Sequence, residues 1–198
     1  MQSKVINTKI ALYFLIIVAI IVLIADWFIF GQILTVGFVF KYVSGTVTII
    51  TLIGFLFCRF FWKCKLFKKW LVLIPDLNGN WEGVIESSWV NPETKEKLEP
   101  IKAELTIKQS LFHISCIMKT TEMKSQSITA GFNIVPDDQV YQMVYTYMSI
   151  PKQNIQERSR IHYGTIIFDM HNNYDCNEMT GNYWTGRNTN GFIRMEKK

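Results

Sequence analysis

Arg187 stands in the densest run of glycine and polar residues in the C-terminal half of the chain: Gly181-Asn182-Tyr183-Trp184-Thr185-Gly186-Arg187-Asn188-Thr189-Asn190-Gly191. A guanidinium flanked by glycine, asparagine and threonine offers a planar fork, backbone N–H groups and hydroxyls to a phosphate. The same spacing fits an ordinary hairpin loop with an exposed arginine. Upstream, Ser125, Ser127 and Thr129 recur at every second residue, and so do Tyr141, Met143, Tyr145 and Tyr147. On a shared inner face such hydroxyls and phenols provide hydrogen bonds and flat stacking surfaces for a polar aromatic ligand. The competing reading is a packed core with its polar side in solvent. Three histidines, His113, His162 and His171, invite acid–base or metal chemistry. Yet the chain has no His-X-X-X-His, Cys-X-X-Cys or Gly-X-Ser-X-Gly pattern, and no nucleophile can be paired with a base. Binding is therefore expected rather than catalysis, with neither metal nor cofactor.

The elements that must position these groups alternate with period two. Ile101, Ala103, Leu105 and Ile107 interleave with Lys102, Glu104, Thr106 and Lys108, the pattern of a half-buried strand. Trp81 to Trp89 behaves the same way. Further strands are predicted over Phe112 to Thr120, Ser125 to Ile134, Tyr141 to Ile150, His162 to Phe168, Glu178 to Thr185 and Phe192 to Glu196. Turn-forming residues separate them at Asn91-Pro92-Glu93-Thr94, Pro136-Asp137-Asp138, His171-Asn172-Asn173 and Asn190-Gly191. Eight short strands with short links predict an all-β, antiparallel up-and-down barrel over residues 75–198. At that strand number the interior is either filled by side chains or wide enough for one small ligand. Gly79-Asn80-Trp81 on the first strand and Arg194 on the last resemble the lipocalin arrangement, in which a cation stacks on the tryptophan and closes one barrel end.

Residues 1–72 are of another kind. Ile10 to Ala25 is an uncharged apolar run of sixteen residues, and Tyr42 to Cys58 is an uncharged run of seventeen. A bilayer core takes roughly 20 predominantly apolar residues per helix, so a hairpin of two transmembrane helices is expected. Either long helices meet near Gly31 and Gln32, or shorter ones leave Trp27 to Phe40 as an aromatic interfacial connector. Residues 1–74 carry eight Lys or Arg against Asp26 alone, +7, while the remainder carries thirteen against fifteen acids, −2. The basic isoelectric point thus belongs to the apolar half and reports attraction to anionic lipid. A nucleic-acid polymer is an unsuitable partner for the barrel, which lacks a basic stripe. Lys4 and Lys9 before the first run, with Arg59, Lys63, Lys65, Lys68 and Lys69 after the second, place both termini in the cytoplasm by the positive-inside rule. A cleaved signal peptide is disfavoured by the length of the first run and by the second that follows. Gly45, Thr46, Thr48, Thr51 and Gly54 suit helix packing, and Asp26 and Lys41 either pair at depth or sit among headgroups. Cys58, Cys64, Cys116 and Cys176 are scattered and expected to be free thiols.

The order of several short motifs carries a family resemblance. Two apolar runs lead into Pro75-Asp76-Leu77-Asn78-Gly79-Asn80-Trp81-Glu82-Gly83 and Ser87-Ser88-Trp89. Then come Ile107-Lys108-Gln109, Ser125 and Ser127, Tyr145-Thr146-Tyr147, His162-Tyr163-Gly164 and Gly181 to Arg187. The whole chain resembles the two-transmembrane, β-strand-rich effectors of bacterial CBASS antiphage operons, which accompany CD-NTase cyclases. That resemblance implies a lipocalin-like barrel that receives a cyclic dinucleotide made by the partner cyclase. It further implies self-association on binding, disruption of the inner membrane and death of the infected cell before phage release. By the same resemblance Arg187 and Thr189 are phosphate candidates, Tyr145 and Tyr147 base-stacking candidates, and Ser125, Ser127 and His162 polar specificity candidates. A membrane-tethered carrier or sensor of a small apolar ligand is the alternative function.

Overall fold

The computed structural model describes residues 5–30, 36–91, 93–157, 159–170 and 175–198. The chain divides into two compact units, one spanning Ile6–Leu73 and the other formed chiefly by Ile74–Lys198.

The first unit is helical. Helix α1 runs Thr8–Phe30 and helix α2 runs Val36–Arg59. Asn7 enters α1 with its Oδ1 accepting from the Ile10 N–H at 3.4 Å, which satisfies one of the orphan donors of the first turn. Among the described residues one helix is long and apolar enough to cross a membrane: Thr8–Ala25, with a mean hydropathy of 2.7. The described apolar part of α2, Val47–Arg59, is shorter than a span. Glycine, serine and threonine dilute its N-terminal half, so the expectation of two spans has one clear member. The Thr51 hydroxyl donates to its own helix at Val47 O, 2.8 Å away, and so is spent inside α2 rather than on a neighbouring helix. The junction at Gly31 and Gln32 and the side chains of Asp26 and Lys41 lie outside the described residues.

The second unit is a barrel closed on itself. Its strands are β1 Gly79–Ser87, β2 Ile101–Gln109, β3 Ile114–Thr120, β4 Met123–Val135, β5 Val140–Pro151, β6 His162–Met170, β7 Glu178–Thr185 and β8 Asn190–Lys197. Each pairs antiparallel with its sequence neighbour, and β8 returns to β1 with Met195 opposite Gly83. The eight expected strands are all present. Closure leaves no exposed end to the sheet order, which removes the hazard of unpaired edges.

Two features depart from simple alternation. A bulge on β4 at Ile128 shifts the register against β5, where Ser127 faces Tyr147 but Thr129 faces Thr146. Before the bulge Ser125 and Ser127 face inward; after it the inward set is Ala130, Phe132 and Ile134, while Ile128 is exposed. One extra residue moves every later side chain to the other face, so neither alternate set of β4 is wholly apolar. The final hairpin also turns earlier than expected. Asn190 and Gly191 belong to β8, and the reversal is made by Gly186–Thr189 with Asn188 in the left-handed region at φ 59°. The Thr185 N–H donates to Thr189 O at 2.9 Å and closes the turn. Of the other predicted turns, Pro136–Asp138 forms a 3-10 turn completed by Gln139 at φ 56°. Asn91 Oδ1 accepts from the Glu93 N–H at 2.9 Å. Pro92 and His171 to Asn173 lie outside the described residues.

The barrel end where the chain enters is sealed. Trp81 is fully buried, and its Nε1–H donates to Leu77 O at 3.0 Å. Gly79 leads into it at φ 129°, a conformation that strains a residue bearing a Cβ. Gln109 stitches the entering segment across the opening. Its Nε2 donates to Pro75 O at 2.9 Å, and its Oε1 accepts from the Leu77 N–H at 2.8 Å. Asn78 Oδ1 accepts from the Gln109 N–H at 2.7 Å. The cation over the indole is Lys197, with Nζ 5.6 Å from the ring centroid. It is not Arg194, which points outward on β8 and pairs with Glu178 at 2.8 Å. Inward positions on β8 are Gly191, Ile193, Met195 and Lys197, so the even-numbered arginine has the wrong parity to reach Trp81.

A candidate ligand site at the open end of the barrel

Above this plug the lower part of the interior is filled. Leu105, Met143, Phe168, Met179 and Met195 are fully buried there. At the opposite end the filling stops, leaving a cavity of about 160 Å³. Its polar lining includes Ser125, Tyr147, Ser149, His162, Thr185 and Thr189. Its apolar walls come from Ile85, Ile101, Met118, Ile166 and Ile193. The choice between a hollow and a packed barrel therefore resolves by depth: packed below, open at the mouth.

Register explains why these side chains meet. Ser125 on β4 faces Ser149 on β5, and Ser149 faces His162 on β6. The Ser125 hydroxyl donates to Ser149 Oγ at 2.9 Å. Ser149 is buried, which ties up a hydroxyl that would be costly to strand. One step deeper Tyr147 faces Gly164. A Cβ on Gly164 would lie 2.4 Å from the Tyr147 hydroxyl and 2.5 Å from Trp184 O. The glycine of His162-Tyr163-Gly164 is thus the space into which that phenol settles. Burial pushes the Tyr147 hydroxyl up to about 12, with Tyr183 adding to the effect, so the phenol is a neutral donor at physiological pH.

Tyr145 sits deeper still and is only 2% exposed, its ring between Tyr147 at 6.0 Å and Phe168 at 6.3 Å. It supports the floor and does not line the cavity, which corrects the expectation of two base-stacking tyrosines. Two residues of one parity stand at successive depths, and only the shallower reaches the opening. Burial, then Cys116 and Tyr147, raises its hydroxyl well above the usual phenol range. That oxygen is buried without a hydrogen-bond partner among the described residues, a local cost of packing the floor. Ser127 also differs from expectation. Its Oγ accepts from the Cys116 N–H at 2.9 Å, standing in for a backbone acceptor where β3 and β4 part beside the bulge.

Around the mouth a second depression of about 520 Å³ is bounded by Glu157, Arg160, His162, Tyr163, Gly186 and Arg187. Arg187 rides on the β7–β8 turn, whose Gly186 N–H is anchored to Tyr163 O at 2.8 Å. Its guanidinium donates to Ser159 Oγ from both terminal nitrogens at 3.1 Å and to Arg160 O. The arginine therefore lies on the rim and not inside the barrel. Thr189 does face the cavity, its hydroxyl 2.6 Å from that of Thr185. His162 borders both hollows. Its Nδ1 lies 3.2 Å from Arg160 O, which requires the proton on Nδ1 and leaves Nε2 as an acceptor in the neutral ring. Burial lowers its pKa from 6.5; the bond to the Arg160 carbonyl opposes this and Arg187 reinforces it. His113, in the β2–β3 turn, is at the far end of the barrel and exposed.

The structure brings Ser125, Tyr147, His162 and Thr189 to one cavity and Arg187 to its rim. Ser149, Thr185 and Arg160, which the sequence did not single out, stand beside them. Ser149 was readable as the next odd-numbered residue after Tyr147. Arg160 sits in an irregular link and gave no periodic signal.

A closed antiparallel barrel of eight strands, plugged at one end and hollow at the other, is the architecture of the small-ligand-binding up-and-down barrels. Residues 72–197 match the family described as Cap15, cyclic dinucleotide receptor domain. The CD-NTase-associated protein 15 of Staphylococcus schleiferi is 32% identical over 155 residues, covering 78% of each chain. That of Escherichia albertii is 29% identical over 168 residues, covering 81% of this chain and 82% of its own. The chain belongs to the Cap15 cyclic dinucleotide receptor family, a family of receptors associated with CD-NTases rather than of known enzymes.

Proposed function

We propose that the protein is a membrane-anchored effector whose barrel binds a cyclic dinucleotide from a partner CD-NTase at its open end. The observation that carries this reading is the junction at His162 of a neutral, hydroxyl-lined cavity with a rim bearing Arg160 and Arg187. A cyclic dinucleotide needs both environments: flat bases suit the first, phosphates the second. The depression at the rim holds two arginines against the single acid Glu157. Thr8–Ala25, and α2 beside it, anchor the barrel on the cytoplasmic side of the inner membrane, with the cationic cluster Arg59 to Lys69 against the headgroups. Binding promotes self-association, which concentrates the helices and disrupts the bilayer by avidity; the infected cell dies before phage release.

Calorimetry on the full chain in detergent, against a panel of cyclic dinucleotides and fatty acids, tests the ligand. Heat from a cyclic dinucleotide that is lost in Arg187→Ala supports the proposal; binding of fatty acids alone would favour the apolar-carrier alternative, to which the aliphatic cavity walls are suited. For the membrane step, coexpression with an active cyclase should kill cells only when residues 1–70 are present. Equal killing by the barrel alone would remove the anchor from the mechanism.

A further inference from the structure

The cavity and the rim differ in what they can desolvate. No lysine, arginine, aspartate or glutamate lines the cavity among the described residues, whereas the rim carries Arg160, Arg187 and Glu157. A phosphodiester taken inside would lose water without gaining a permanent cation, a cost of several kcal/mol for a buried charge. A neutral base taken inside loses far less and finds hydroxyl pairs at Ser125–Ser149 and Thr185–Thr189. Size sets the second limit. Sites that enclose a drug-sized ligand measure roughly 300–1,000 Å³, and this cavity is about 160 Å³. It cannot deepen, because Tyr145 and Phe168 beneath it are buried against neighbours.

We infer that the receptor reads one base of its two-base ligand: one base enters the barrel mouth, the phosphates stay on the Arg160–Arg187 rim, and the second base remains outside the cavity. This rests on the cyclic dinucleotide reading above. The interior hydroxyls then set base preference, with the buried Ser149 as the specificity residue, and the rim sets affinity for any member of the ligand class. With two like linkages the sugar–phosphate ring is two-fold, so a mixed compound can present its better base.

Three ligands decide it by calorimetry on the full chain in detergent: cyclic di-adenosine, cyclic di-guanosine and the mixed adenosine–guanosine compound. The two symmetric ligands are expected to differ by about tenfold or more in Kd. The mixed one should bind within about twofold of the tighter, since it offers one preferred base where the symmetric ligand offers two. A mixed Kd near the geometric mean of the other two shows both bases read and overturns the inference. A smaller difference between the symmetric ligands overturns it as well, since no base is then read. No binding by any of the three, nor by their pyrimidine-containing counterparts, instead refutes the underlying ligand assignment. Ser149→Ala should shrink the ratio between the symmetric ligands, while Arg160→Ala should weaken all three by a similar factor. Ratio and affinity falling together in both variants would also overturn the division.

Discussion

The Lys197 ammonium sits 5.6 Å above the Trp81 ring and donates to Asp76 O at 3.1 Å. The last residues of β8 are thereby locked onto the indole that plugs the barrel and onto the segment that leads into β1. A cation over an indole contributes about 0.5–2 kcal/mol depending on desolvation. Lys197→Ala should lower unfolding stability by about that amount in a urea titration. Ligand affinity should not change, because the plug and the mouth are at opposite ends. A loss of affinity at unchanged stability would show the two ends to be coupled.

Gly164→Ala tests how Tyr147 is held. The added methyl meets the Tyr147 hydroxyl at 2.4 Å and backbone oxygen at 2.5 Å, so the ring must leave and the strands must give. Overpacking of this kind typically costs about 1–3 kcal/mol. Ligand affinity should fall by at least as much as in Tyr147→Phe, which keeps the ring and removes the hydroxyl. Wild-type affinity in Gly164→Ala would show that Tyr147 does not touch the ligand.

His162 gives binding a pH dependence. In the free protein its pKa lies below 6.5, chiefly through burial, so the ring is neutral at physiological pH. A phosphate brought beside it favours the charged ring and raises that pKa. The complex then holds more protons than the free protein between the two pKa values. Affinity should rise as pH falls through the pKa of the complex, and level off below that of the free protein. His162→Gln should flatten the profile between pH 8 and 6. Folding responds with the opposite sign. The unfolded ring takes its proton first, so this residue's effect lowers stability as pH falls below about 6.5.

Arg187 and Arg160 should act as phosphate partners. Charge-assisted hydrogen bonds are worth about 1.5–3 kcal/mol, so Arg187→Ala should weaken binding by about tenfold or more. Because Arg187 also bonds Ser159 and Arg160 O, Arg187→Lys should not restore affinity: an ammonium lacks the planar fork. Full rescue by lysine would reduce the residue to a point charge. Each arginine removed should also weaken the salt dependence of Kd, measured from about 0.05 to 0.5 M NaCl.

Much of the barrel was legible because a strand writes its burial in alternate residues. Ile101 to Ile107 and Tyr141 to Tyr147 fixed their own faces, and eight such segments with turns between them leave few architectures. Ser149 and Thr185 continue the same parities, two residues beyond Tyr147 and Tyr183, and face the cavity. What alternation could not report was depth. Tyr145 and Tyr147 share a parity, yet one is floor and the other is lining, a difference set by how strands stagger on closure.

The sequence by itself determined the apolar, cationic half, the acidic β half and the strands. Tertiary structure decided three further things. It chose Lys197 over Arg194 as the cation on Trp81, since closure fixes which residues of β8 point inward. It turned β4 over at Ile128, since a bulge is a relation between two strands and one strand's mixed faces do not say where it falls. And it set Arg160 beside Arg187, 27 residues apart, because a rim is assembled from loops whose tips meet only once the sheet has closed. Period along a chain is local physics; proximity across a closed surface is not.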